Sequence, residues 1–140
     1  MGVPALDNLV KIGTLKAESC NQTEFDGLLN AGAARLKDAA YPGLSLESKF
    51  DLAYNAAHSI SLAALRWHGY RSANRYAVFQ ALEHTVGLPA ARWRVLDKAH
   101  RDRNLAEYEG NFDIDEALID ESIKITNEVL AKVRGLGPVR

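Results

Sequence analysis

The run His100-Arg101-Asp102-Arg103-Asn104-Leu105-Ala106-Glu107-Tyr108-Glu109-Gly110 gathers the side chains best suited to chemistry: two guanidiniums, an imidazole, an amide and a phenol. Arg103 lies seven residues after Leu96 and four after Ala99, so a helix puts it on the core-facing stripe. A guanidinium there is costly unless it is paired or wet. Two readings follow. One is a structural arginine anchored by Glu107 at i+4 or by another helix. The other is a contact to phosphate or to a transition state, for which the planar fork is well suited. Asn104 and Tyr108 form an i, i+4 pair on the adjacent face and can extend a polar pocket. Arg103 and Tyr108 fall about 140° apart on a straight helix. They do not easily touch within one chain, whereas a two-fold dimer can bring them together.

Other chemistries find less support. A di-iron bundle needs Glu-x-x-His on two helices, and no Glu-x-x-His occurs; His58, His68, His84 and His100 do not pair at i+3 or i+4. No metal site and no cofactor are expected. Glycine-rich phosphate loops and the strand that would present them are missing. Cys20 has no flanking cation and reads as a spectator thiol.

Charge is unevenly placed. From Arg66 to Arg103 the basic residues Arg66, Arg71, Arg75, Arg92, Arg94, Lys98, Arg101 and Arg103 face only Glu83, Asp97 and Asp102. From Glu107 to Glu128 the balance reverses, with Lys124 alone against eight acidic residues. This is either a phosphate-holding patch beside an acidic helix, with Arg71, His100, Arg101, Arg103 and Asn104 as candidate ligand-binding residues, or two helices, or two dimer faces, that neutralise each other.

Helical periodicity must position these residues, since period-2 alternation rich in Val, Ile and Thr is missing. Residues 1–21 hold one apolar group (Leu6, Leu9, Val10, Ile12) and form at most a short lead-in helix; the bundle spans 22–135. Thr23 is the expected cap of a helix with Phe25, Leu28, Leu29, Gly32, Leu36 and Ala39 on one face, ended by Tyr41-Pro42-Gly43. Ser45 caps the next, whose stripe is Phe50, Ala53, Tyr54, Ala57, Ile60, Ala64 and Leu65; Gly69 stops it. A shorter helix from about Ala73 turns Tyr76, Phe79, Leu82 and Val86 inward and closes at Gly87. Pro89 opens a helix carrying Trp93, Leu96, Ala99 and Arg103 to Gly110. The last begins at Asp113, with Glu116 completing a capping box, and runs through Leu118, Ile123, Ile125, Val129 and Val133 to Gly135. Short connections between long amphipathic helices predict a single all-α domain over 1–140, an up-and-down antiparallel bundle of four to five helices. Tyr41, Trp67 and Trp93 are either interface aromatics or core packing.

The chain has 140 residues, 47% hydrophobic and 25% charged, with formal net charge −1, enough for one core without staples. One cysteine fits a reducing compartment. With no leader pattern at Met1–Val10 and no long apolar run, a cytoplasmic protein with no membrane partner is expected.

Three stretches resemble the HEPN superfamily of small helical-bundle proteins in prokaryotic defence and toxin–antitoxin systems. They are Lys49–His58, Leu62–Arg71 with its Gly69-Tyr70-Arg71 ending, and Arg101–Tyr108, which sits where the family keeps Arg, a polar residue and then His. The likeness spans Ser45 to Val133. It implies a homodimer whose Arg and His line a cleft between subunits, metal-independent ribonuclease chemistry, and sometimes a nucleotidyltransferase partner. By position, Arg103 is the motif arginine, Asn104 the polar residue, and the histidine position falls on Tyr108. An unperturbed tyrosine, with a pKa of about 10, donates to phosphate but is a poor general base; His84 and His100 are the histidines that can replace it. Three functions stay open: a dimeric module binding RNA, a nucleotide or a partner protein without efficient cleavage; a ribonuclease toxin using Arg103 with Tyr108 or His100; and a ligand-free interaction bundle.

Overall fold

The computed structural model describes residues 3–72, 74–110 and 115–139, and for 106–109 the helical backbone only. Within these, α1 (Pro4–Lys11) leads through β1 (Lys16–Ala17) to α2 (Gln22–Ala39) and α3 (Leu46–Trp67). Then come β2 (Tyr70–Arg71), α4 (Arg75–Gln80), α5 (Leu82–Thr85), α6 (Ala90–Glu109) and α7 (Glu116–Arg134).

α3 is the axis of the molecule, and its composition explains why. Ala53, Ala56, Ala57, Ala63 and Ala64 are all buried, so neighbouring helices approach it from several sides. α2, α6 and α7 all pack against it. Direction follows from side-chain contacts. Lys49, at the start of α3, meets Asp120 at the start of α7, and Trp67 at its end donates to the Gly137 carbonyl just past α7. Near the start of α3, Asp51 instead meets Arg103 near the end of α6, and Arg92 at the start of α6 meets Glu128 late in α7. The four long helices therefore alternate up and down, with α3 and α7 as the parallel pair in contact across the bundle. The all-α bundle expected from periodicity is the observed fold.

The caps carry the first corrections. Asn21, not Thr23, caps α2: its extended backbone lets Oδ1 accept from the Glu24 amide at 2.8 Å, and Thr23 is already helical. Ser45 caps α3 as expected, accepting from the Ser48 amide at 3.1 Å. Ala73, the expected start of the shorter helix, lies outside the described residues; Asn74 caps α4, and the helix breaks at Ala81 into α4 and α5. Pro89 is the cap of α6 and not its first residue. Asp113 also lies outside the described residues; α7 starts at Glu116, with Asp115 Oδ1 accepting from the Ala117 amide at 3.0 Å. Gly110 ends α6 with φ +68°, a conformation glycine adopts without strain.

Two apolar clusters lie under these elements. The larger runs through α2, α3, α6 and α7, and includes Trp93, which is core and not interface. The smaller joins Leu6 and Leu15 to Leu65, Tyr70, Ala77 and Val78, so the lead-in helix is docked. Ile12, counted with its apolar group, is 74% exposed. β1 and β2 make a two-residue antiparallel ribbon, Lys16 opposite Arg71, which no alternation in the sequence signals.

Arg66 pins that ribbon. Its side chain is 1% exposed, so it is no part of a basic surface. Nε donates to Glu24 Oε2 at 2.7 Å, and the terminal nitrogens donate to the carbonyls of Glu18, Ser19 and Tyr70 at 2.7, 2.8 and 3.2 Å. The fork thus satisfies both a buried charge and three backbone acceptors. Among the described residues no helix is long and apolar enough to cross a membrane.

Candidate functional site

Three helices converge at the Arg103 end of the bundle. From α3, Asp51, Tyr54 and His58 point one way because i, i+3 and i+7 share a helical face. On α6 the i, i+4, i+7, i+11 spacing aligns Trp93, Asp97, His100 and Asn104. The short α4 brings Arg75, Tyr76 and Phe79 against both. Phe79, fully buried, packs its ring near those of Tyr54, His58 and His100 and forms the floor.

Tyr54 is the centre. Its ring stacks on His100 with centroids 5.6 Å apart and planes 11° from parallel. The Arg103 guanidinium lies 4.7 Å from its centroid and that of Arg75 5.2 Å, both within cation–π range. Arg75 Nη1 donates to the Tyr54 hydroxyl. The hydroxyl in turn lies 3.0 Å from His100 Nδ1. With Arg75 donating to it, the Tyr54 hydroxyl shares one further hydrogen bond with Nδ1, and the Asn104 side-chain amide nitrogen sits 3.4 Å from Nε2. Arg103 Nε also donates to Asp51 Oδ1 at 2.9 Å, so the anchor is another helix.

Both histidines are held neutral at physiological pH. Burial lowers the His58 pKa to about 4, and the Arg75 charge and His100 add to the shift. Burial also lowers that of His100; Asp97 opposes the shift, while Arg75 and Arg103 reinforce it. His100 has one ring nitrogen engaged by Tyr54 and the other facing Asn104, so it is poorly placed to take a proton from a ligand.

Beside this centre opens a shallow cleft of about 450 Å³ lined by Tyr76, Trp93, Arg94, Asp97, His100 and Arg101. Tyr76, expected inward, is 43% exposed and meets the buried Trp93 edge-to-face at 5.9 Å. Arg94 lies over the Trp93 ring, 5.5 Å from its centroid.

Of the residues singled out from sequence, Arg103, Asn104, His100 and Arg101 come together on this face. Arg71 does not join them: it sits on β2 and pairs with Glu18 and Glu24. The Tyr108 and Glu107 side chains lie outside the described residues. His84 is on α5, and among the described contacts it touches neither His100 nor Arg103. Sequence reasoning missed the roles of Tyr54, Arg75 and His58. The signal available was the i, i+3, i+7 set of Asp51, Tyr54 and His58, a polar seam beside an otherwise apolar stripe. Cys20 is free, and burial raises its thiol pKa, in keeping with a spectator. Among the described residues no three His, Cys, Asp or Glu gather as metal ligands.

Comparison with protein-family models, with curated proteins and with solved structures finds no match to this chain.

Proposed function

We propose that this chain is a HEPN-like module that binds single-stranded RNA or a nucleotide on its α3–α4–α6 face, acts as a homodimer, and cleaves RNA poorly or not at all. The observation that carries this is the convergence of Arg75 and Arg103 on the Tyr54–His100 stack, beside a cleft that holds an exposed tyrosine and two further arginines. Aromatic rings that take a base, next to guanidiniums that take phosphate, are the standard elements of single-strand recognition. Charge favours it locally although the whole chain is near neutral. Arg101 pairs with Asp97 and Arg103 with Asp51. Arg75 and Arg94 are exposed, and neither has a carboxylate within 4 Å among those residues.

Weak catalysis follows from tyrosine at the motif's histidine position and from His100 being committed to Tyr54. The resemblance brings with it a defence or toxin–antitoxin setting and a nucleotidyltransferase as a candidate partner. The test is binding and integrity of labelled single-stranded RNA with EDTA present, using wild type and Arg103→Ala. A hydrogen bond to a charged group contributes about 1.5–3 kcal/mol, so Arg103→Ala is expected to weaken binding roughly tenfold or more while the RNA stays intact. Cleavage that disappears in His100→Ala would replace this reading with the ribonuclease. No RNA binding by wild type would leave a protein-interaction bundle.

A further inference from the structure

The cleft contains one group that phosphate binding does not explain, the carboxylate of Asp97. The Asp97 side chain is 10% exposed and lines a cleft otherwise edged by guanidiniums and aromatic rings. Its ionic partner is Arg101 Nε, 3.3 Å from Oδ2, reaching over from a side chain that is 68% exposed. Among the described residues no N–H or O–H donates a hydrogen bond to it. Its oxygens are not among the buried unsatisfied atoms: they open onto the cleft, where the donors of a ligand can reach them.

Resting on the RNA- or nucleotide-binding reading above, we infer that Asp97 reads the base and selects guanine. The chemistry of the four bases decides this. Guanine alone presents two adjacent donors on its pairing edge, N1–H and the N2 amino group, which match the two oxygens of one carboxylate. Adenine and cytosine each set one donor beside an acceptor, and uracil sets its single N–H between two carbonyls, so each turns a lone pair toward Asp97. Carboxylates accept from base amino groups in nucleic-acid recognition for the same reason. Tyr76 supplies the stacking surface beside the carboxylate. Arg94 and Arg101 border the same cleft and reach the sugar–phosphate chain. Arg101 then exchanges its loose contact with Asp97 for phosphate, as its exposure allows.

The experiment is competition of GMP, AMP, CMP and UMP, and of short single-stranded RNAs carrying one G or one A, against a labelled RNA. A bidentate pair of this kind discriminates by about tenfold or more, so G-containing ligands are expected to compete that much better. Preference in the oligomers alone assigns the site to RNA, and preference in GMP as well assigns it to the base itself; both outcomes support the inference. Asp97→Asn places a donor and an acceptor where two acceptors stood. It is expected to cost the guanine advantage and to raise adenine and cytosine relative to it, a change of rank that mere loss of packing does not give. Tyr76→Ala, at an exposed position, is expected to weaken all bases alike. Equal competition by the four nucleotides with RNA binding intact overturns the guanine inference and leaves the RNA reading standing. No binding of any of them overturns both. The wild-type ranking decides the matter even if Asp97→Asn does not fold.

Discussion

Tyr54 is a core residue by burial and a junction by contact: 3% exposed, it still touches two guanidiniums and an imidazole. Burial, reinforced by the arginines around Tyr54, keeps both nearby histidines neutral, and that has a pH signature. A histidine whose folded pKa is about 4, against an ordinary 6.5, stabilises the fold fully above 6.5. That contribution is lost as pH falls from 6.5 toward 4, because the unfolded chain takes up the proton first. Each pKa unit corresponds to about 1.4 kcal/mol, and solvent reaching the partly exposed ring trims the His58 total to about 2 kcal/mol. Urea unfolding at pH 7.5 and pH 5 should show this loss, and His58→Gln should shrink it; an unchanged difference in the variant would contradict the assignment. Little of this was legible in the sequence. The stripe Phe50, Ala53, Tyr54, Ala57 correctly marks Tyr54 as buried. Spacing on one helix does not say which side chains of a non-adjacent helix will meet it, so Arg75 and His100 stayed unconnected until α3, α4 and α6 were seen together.

The elements themselves were more legible, because caps and stops act locally. Ser45, Gly69, Gly87 and Gly110 fall where expected, while Asn21 displaces Thr23 because either residue satisfies the same rule. The Ala81 break and the β1–β2 ribbon escaped notice since tertiary contacts, not local propensity, make them. Arg66 is such a contact. Replacing it with Ala leaves three carbonyls without their donor and Glu24 with Arg71 alone, a loss of about 2–4 kcal/mol given that Glu24 is partly exposed. Thermal unfolding checks this, and a change below about 0.5 kcal/mol, the size of an ordinary surface substitution, would contradict it. Both Glu18 and Glu24 are held below the usual 4.5 by Arg71 and Arg66, so the ribbon loosens in acid below that value, separately from the histidine window. Gly32 reports on helix packing. A Cβ there would meet Ile60 Cγ1 at 2.4 Å, in a fully buried and β-branched side chain. Overpacking costs about 1–3 kcal/mol, against about 1 kcal/mol gained in helix propensity. Gly32→Ala should therefore lower Tm by several degrees, and Ile60→Val should recover part of the loss; a raised Tm would show that α2 and α3 are not packed this closely.

At the scale of the molecule, the charge asymmetry resolves into two uses. Part of the acidic final helix is consumed inside the bundle, with Glu128 on Arg92 and Asp120 on Lys49. Of the two, the Arg92–Glu128 pair joins the basic stretch from Arg66 to Arg103 to the acidic stretch after it. Arg75 and Arg94, with no carboxylate within 4 Å among the described residues, lie on the α3–α4–α6 face proposed to bind RNA. A face that works by phosphate contact must show it in salt dependence, since each neutralised phosphate of a single strand contributes a slope of about −0.7. The decisive measurement is the affinity of labelled single-stranded RNA across a salt series for wild type and for Arg75→Ala/Arg94→Ala, two exposed positions, with thermal unfolding confirming that the double variant stays folded. The account predicts clear salt-dependent binding by wild type, weakened in the double variant with the slope reduced by about 1.4, two phosphates' worth. Binding that ignores both salt and the double substitution would contradict it.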